Sequence, residues 1–178
     1  MIKKTITAPI SAIKRLRVGT DGKGIRTLVG FYGCPLKCKY CINPQTWDKR
    51  LEPTLYSPSV LLNMVQKDNL YFLCSNGGIT FGGGEPLLYP EFINSFIDLA
   101  PTSWNYVIET SLSVPFKNIS LISNFISLFV DDIKTLDKFV YEQYTGGDLK
   151  QALINLQKLL FLVSNDNVVV RIPFIPGY

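Results

Sequence analysis

Apolar residues in this chain fall in short blocks, and the blocks alternate between two kinds of pattern. Compact apolar runs at 25–32, 78–81, 104–109, 126–133 and 168–173, bounded by glycine, proline or small polar residues, predict strands. Between them, helices are predicted over 59–69, 90–99, 116–123 and 150–162. Ser57 and Pro58 make an opening signal for the first helix, and Pro90 suits a first turn, where its missing N–H costs nothing. The clearest helix is 150–162, in which Leu153, Leu156, Leu159 and Leu160 recur at helical spacing. Strand, loop and helix in repetition predict an α/β fold with a mostly parallel sheet and right-handed crossovers. No repeat, low-complexity segment or linker interrupts the pattern, so a single domain over 1–178 is expected.

The polar and glycine-rich signals share one position, the ends of the predicted strands. A cysteine loop follows the first strand, and Gly82-Gly83-Gly84-Glu85-Pro86 follows the second. Glu109, Thr110 and Ser111 follow the third, Asp132 and Lys134 mark the fourth, and Arg171 lies near the fifth. In α/β sheets and barrels the carboxyl-end edge is where sites are assembled.

Composition narrows the function classes. Hydrophobic residues make up 47% of the 178 residues, yet no apolar run approaches the roughly 20 residues of a membrane span. The longest candidate, 119–130, is broken by Ser120, Ser123, Asn124 and Ser127 and runs into Asp131 and Asp132. Lys3 and Lys4 are followed by threonines and Pro9, so no signal peptide is read. The net charge of +4 is mild, and Lys14, Arg15, Arg17, Lys23 and Arg26 suit a solvated face as well as a nucleic-acid surface. Neither a membrane nor a nucleic-acid partner is expected. The chain has no histidine, which removes the commonest general base and the usual zinc imidazole.

Three of the four cysteines, Cys34, Cys38 and Cys41, lie in GCPLKCKYCINP. Three closely spaced thiolates suit a [4Fe-4S] cluster and leave one iron open for another ligand, whereas structural zinc wants a fourth thiolate or an imidazole. Cys74 stands alone in YFLCSNGG and reads as a buried apolar filler or, as the alternative, a remote fourth ligand. Disulfides are not expected in so compact a trio, and a reducing, cytoplasmic setting fits. The glycine run is a tight turn or a close approach to a small ligand; without a following Lys-Ser or Lys-Thr it is no nucleotide P-loop.

GCPLKCKYC resembles the signature of the radical S-adenosylmethionine (SAM) enzymes. DGKGIRTLVGFYG, INPQTW, ITFGGGEPLLYPEF, VIETSLSVP, DIKTLDKFVYEQYTG and VRIPFIPGY resemble, in collinear order, the branch that activates glycyl-radical enzymes, of the pyruvate formate-lyase type. The resemblance implies a partial (β/α) barrel with about five of six parallel strands present, further units being expected beyond Tyr178. It implies reductive cleavage of SAM at a [4Fe-4S] cluster, giving a 5′-deoxyadenosyl radical that abstracts a glycine hydrogen from a partner glycyl-radical enzyme. Cys34, Cys38 and Cys41 would hold the cluster. Gly83, Gly84 and Glu85 would hold the methionyl amino group, Asp132 and Lys134 would contribute near the cofactor, and Arg171 would meet the methionyl carboxylate. Tyr40 packs against adenine or is a core aromatic. Glu109, Thr110 and Asp132 would surround a monovalent cation, although a capped turn and a solvated charged turn are the plainer readings of these positions.

The chain departs from the family pattern at Gly82, often serine, and at Leu112, commonly glycine. The short gap from Cys41 to Gly82 leaves no room for a ferredoxin-like cysteine insertion, which implies an external flavodoxin or ferredoxin as electron donor. Other small radical SAM enzymes, including the activator of anaerobic ribonucleotide reductase, and a non-catalytic cluster-bearing module are the alternatives.

Overall fold

The structure, a computed structural model, describes residues 6–48, 50 and 52–174. Lys3 and Lys4 and the last four residues of VRIPFIPGY therefore lie outside the described residues. In chain order the strands are β1 (Ala8–Val18), β2 (Ile25–Phe31), β3 (Thr54–Tyr56), β4 (Gly78–Gly83), β5 (Asn105–Thr110), β6 (Leu128–Asp132) and β7 (Val168–Arg171). They form one sheet in the order β3-β1-β2-β4-β5-β6-β7. The five predicted strands are all present, and from β2 to β7 each neighbouring pair is parallel. The sheet is open at both edges, so the expected partial barrel is what forms.

Two antiparallel strands extend it where none was predicted: β1 pairs with β2, and β3 with β1. The pairing of β1 slips between Ile10 and Ala12 and again between Lys14 and Arg17, and Leu16 has φ +56°. Each bulge resets the two-residue period, so APISAIKRLRV never shows a clean alternation.

The helices are α1 (Pro58–Val65), α2 (Asn69–Ser75), α3 (Pro90–Leu99), α4 (Phe116–Ile122), α5 (Lys138–Thr145) and α6 (Leu149–Leu162). Ser57 caps α1 by accepting from the Val60 N–H, and Pro58 occupies its first turn. The helix predicted over 59–69 ends earlier, at Val65, and a second helix that was not predicted, α2, begins at Asn69. Between them Asp68 turns inward, fully buried, to accept three bonds from Arg15 and one from the Thr27 hydroxyl at 2.7 Å. Helix α5 was not predicted, because KFVYEQYT is too polar to show an apolar stripe. Its caps are nevertheless in the sequence: Asp137 accepts from the Val140 N–H, and Gly146 takes φ +68° at the other end.

Strand alternation divides the sheet into two faces. One carries Val29, Phe31, Ile79, Phe81, Tyr106, Ile108 and Phe129 and packs against Leu61, Phe72, Phe92, Phe96, Ile119 and Ile122 of the helices. The other, the inner face, is polar at both ends. At its amino end Arg26 is 2% exposed. It donates to Thr80 Oγ1 at 2.6 Å, to the Ile79 carbonyl at 2.5 Å and to the Asn105 carbonyl at 2.9 Å. Thr80 in turn donates to the Asp21 carbonyl at 2.7 Å. The β1–β2 connection is thereby drawn under the sheet and closes its amino end.

Cys74 lies on α2 and is exposed, which corrects the expectation of a buried filler. The side chain buried from α2 is Phe72, which packs edge-on against Trp104 at 5.0 Å. Among the described residues no helix is long and apolar enough to cross a membrane.

Candidate active site

The carboxyl ends of the parallel strands and the loops that follow them carry the candidate site residues read from the sequence, whereas Cys74 lies apart on α2. The cysteine loop follows β2 and is fixed from two sides. On one side the Gly33 N–H bonds to the Thr46 carbonyl at 2.6 Å, with Gly33 at φ +95°. On the other, the Lys37 N–H donates to the Thr145 carbonyl at 2.8 Å and the Lys39 N–H to the Tyr144 carbonyl at 3.1 Å. Leu36, 2% exposed, sits where a Cβ on Gly147 would come within 2.3 Å of its Cδ2. The residue between Lys39 and Cys41 is held as well: the ring of Tyr40 lies 4.2 Å from that of Tyr144.

Cys34, Cys38 and Cys41 are half-buried and free. Burial pushes the Cys34 thiol up to about 12, helped by the nearby Glu85 and opposed by a hydrogen bond from the Leu36 amide. Burial also raises Cys38, while Lys134 acts the other way, so the DIK segment reaches the loop electrostatically.

The glycines of GGGEP have a structural use that the sequence left open. A Cβ on Gly83 would stand 2.7 Å from the Gly30 Cα, and one on Gly84 would stand 2.2 Å from the Gly33 carbonyl oxygen. The Gly84 N–H donates to the Phe31 carbonyl and the Glu85 N–H to the Gly33 carbonyl. These glycines therefore let the turn after β4 lie against the start of the cysteine loop. Glu85 is 0% exposed. Its Oε1 accepts from Thr110 Oγ1 at 2.8 Å and the Leu87 N–H at 3.2 Å. Its Oε2 accepts from the Ser111 N–H at 2.9 Å and Ser111 Oγ at 2.7 Å. Burial still raises its pKa despite these donors.

The inner face presents a charged cluster at the same rim. Arg171 donates to both oxygens of Asp132 at 2.6 and 3.0 Å, and to Glu109 Oε1 at 3.2 Å. Lys134 reaches Asp132 at 3.0 Å. For Asp132 burial opposes ionisation most, but the bidentate Arg171 and then Lys134 hold its carboxyl below the usual value. Glu109, with one arginine contact, is raised by burial. Gly82 belongs to this cluster too, since a Cβ there would meet Glu109 Oε2 at 2.9 Å. Leu112 keeps a glycine-like conformation at φ +56°. It is held by a bond from its N–H to Thr110 Oγ1 at 3.0 Å, and its carbonyl accepts from the buried Asn155 at 2.8 Å.

Beside the cluster, an apolar cavity of about 320 Å³ is lined by Leu136, Val140, Tyr144, Ile172 and Phe174, with Lys134 at its wall. Tyr144, Asn155 and Asp131 were not singled out from the sequence. The first two contribute through helices whose contacts only folding reveals. Asp131 did have a signal, a second acid beside Asp132 in a strand. It is 0% exposed with neither carboxylate oxygen bonded to any described residue.

Among the described residues, no three histidine, cysteine, aspartate or glutamate side chains converge as ligands of one metal ion. A cuboidal cluster makes a different demand, because each thiolate binds its own iron and the sulfurs are spread round a cube. The donor set fits that demand: three free thiols on one short loop, with no imidazole in the chain.

Residues 28–178 match the profile of the radical SAM superfamily. The pyruvate formate-lyase-activating enzyme of Clostridium pasteurianum is 36% identical over 126 residues, covering 71% of this chain and 52% of that protein. The pyruvate formate-lyase 2-activating enzyme of Escherichia coli K12 is 28% identical over 188 residues, covering 89% of this chain and 64% of that protein. This chain thus spans about half the length of the first and under two thirds of the second. Among solved structures, Streptococcus suis SuiB bound to its precursor peptide SuiA superposes with a TM-score of 0.60 at 16% identity. That likeness covers 80% of this chain and 30% of SuiB and concerns the fold alone.

Proposed function

The chain belongs to the radical SAM superfamily, and from that premise we propose that it activates a glycyl-radical enzyme. The observation that supports this reading most is the gathering at one rim of the cysteine loop, the GGGEP turn and the Glu109–Asp132–Lys134–Arg171 cluster. The relatives named as activating enzymes point to the same reaction class.

In this reading Cys34, Cys38 and Cys41 hold a [4Fe-4S] cluster. With SAM bound there, such a cluster would supply the electron that reduces the sulfonium, the chemistry that yields methionine and a 5′-deoxyadenosyl radical able to take a hydrogen atom from a glycine of the partner. The chain's own residues bind and orient. The backbone of Gly83, Gly84 and Glu85 receives the methionyl amino group, and the Glu85 carboxylate braces that turn from below through its bonds to Thr110 and Ser111. Arg171 and Lys134, now shared with Asp132 and Glu109, turn part of their hydrogen-bonding capacity to the methionyl carboxylate. Tyr40 contributes to the adenine side. Glu109 and Asp132 form the acidic side, where a monovalent cation would relieve the charge, while the Thr110 side chain is turned to Glu85 instead. The closed amino end bars water from that side of the inner face. The electron comes from an external flavodoxin or ferredoxin in the cytoplasm.

The test is anaerobic. The reconstituted chain is given dithionite and SAM, and 5′-deoxyadenosine is measured with and without peptides carrying a glycyl-radical loop. Cleavage together with a glycyl radical in the paramagnetic resonance spectrum is expected, and both are lost in Cys38→Ser. An intact cluster without cleavage would reject the activating role in favour of a cluster-bearing interaction module.

A further inference from the structure

The backbone amides of the cysteine loop fall into two sets. The Leu36 amide is directed at the Cys34 sulfur and acts to lower that thiol's pKa. The amides of Lys37, Lys39 and Tyr40 point elsewhere, all to the last turn of α5. Lys37 and Lys39 donate to the carbonyls of Thr145 and Tyr144 at 2.8 and 3.1 Å, and Tyr40 donates to Tyr144 Oη at 3.1 Å. The Cys41 N–H closes the turn on the Cys38 carbonyl at 3.1 Å. Of the three diverted amides, the one from Tyr40 is held by a side chain. That same side chain sets its ring 4.2 Å from the ring of Tyr40, at 40°.

Hydrogen bonds to the sulfurs are among the protein's levers on the potential of an iron–sulfur cluster. An N–H with its positive end toward a thiolate stabilises the extra electron of the reduced state, so each such bond makes the cluster a weaker reductant. An amide captured by another acceptor leaves the potential low. Cleaving a sulfonium requires a low potential.

We propose that Tyr144 is a positioning residue that withholds the Tyr40 amide from the cluster sulfurs and thereby keeps the cluster strongly reducing. The proposal rests on the cluster reading of Cys34, Cys38 and Cys41. The remaining amides of the diverted set are anchored to backbone carbonyls and lie beyond the reach of substitution. Tyr144 is therefore the adjustable member of the set.

Tyr144→Phe keeps the ring and removes the acceptor. In the chain without cluster, amide hydrogen exchange reads the contact directly. Tyr40 is expected to lose protection in Tyr144→Phe while Lys37 and Lys39 keep theirs. In the reconstituted chain, the midpoint potential is expected to move to a less negative value, with a changed g-tensor for the reduced cluster. Tyr141→Phe is the control: it removes a hydroxyl from the same helix, one that lies 3.4 Å from Ser113 Oγ. An unprotected Tyr40 amide in the unsubstituted chain overturns the proposal without any variant. So does unchanged Tyr40 exchange in Tyr144→Phe, or an equal potential shift in both phenylalanine variants. If the unsubstituted chain assembles no cluster, the function proposed above fails, while the exchange measurement still decides whether Tyr144 holds the amide.

Discussion

Asp131 and Asp132 are adjacent, chemically identical and in opposite circumstances. Asp132 faces the inner rim and is bound by Arg171 and Lys134. Asp131, one residue earlier, lies in register with Thr110 and Val170 on the helix-covered face, fully buried and without a partner among the described residues. Burial first, then Glu85 and Asp132, push its pKa up to about 8. An unsatisfied buried polar group costs about 1–3 kcal/mol. Asp131→Val is therefore expected to raise stability in urea denaturation at neutral pH by about that amount. Leu112 is the contrary case, a left-handed residue whose side chain is 0% exposed. Glycine there relieves about 1 kcal/mol of backbone strain but forfeits about 2–5 kcal/mol of buried packing. Leu112→Gly should thus lower stability, seen as a lower thermal midpoint.

Among the elements, the five parallel strands were legible as compact apolar runs with clear turn residues at their ends, and α3, α4 and α6 were legible as helices. Two kinds of element were not. Strand β1 hides its period behind two register slips. The split between α1 and α2 depends on Asp68, which reads in sequence as an ordinary surface acid. Its bonds to Arg15 and Thr27 join residues 53 and 41 positions apart, which no local pattern can reveal. Those bonds carry a pH dependence. Burial opposes ionisation of Asp68, yet Arg15 and Thr27 together hold the carboxyl below its usual value. A depressed folded-state pKa adds stability that is present above the unfolded value of about 4 and is lost as pH falls through the folded one. Arg15→Gln should flatten that acid limb, as measured by denaturation at pH 3 and pH 7. The site divided in the same way. Cysteines, glycines and strand-end charges could be read from residue type and spacing, whereas Tyr144 and Asn155 act through helix positions that only packing brings to the rim.

At the scale of the whole molecule, the sheet ends among the described residues in β7, whose outer edge offers unpaired backbone beside exposed apolar groups. Val169, Val170 and Ile172 are 47%, 44% and 56% exposed, and Phe174 is 92% exposed. An uncovered edge of this kind is a template for pairing with further strands. The 178-residue chain should associate with rising concentration, and Val170→Lys should reduce that association in light scattering without lowering the thermal midpoint.

The other end of the inner face has the opposite character. With Arg26, Thr80 and the 19–24 connection packed across it, the sheet is a cul-de-sac. Small molecules that reach the rim therefore find no exit past Arg26 and Thr80, and a macromolecule seated on that rim would cover the side from which they came. Under the proposed function SAM would enter by the rim before the partner's glycine segment covers it, and methionine would leave by the same side. Steady-state kinetics should accordingly show the partner, at saturation, slowing the release of methionine rather than the capture of its precursor.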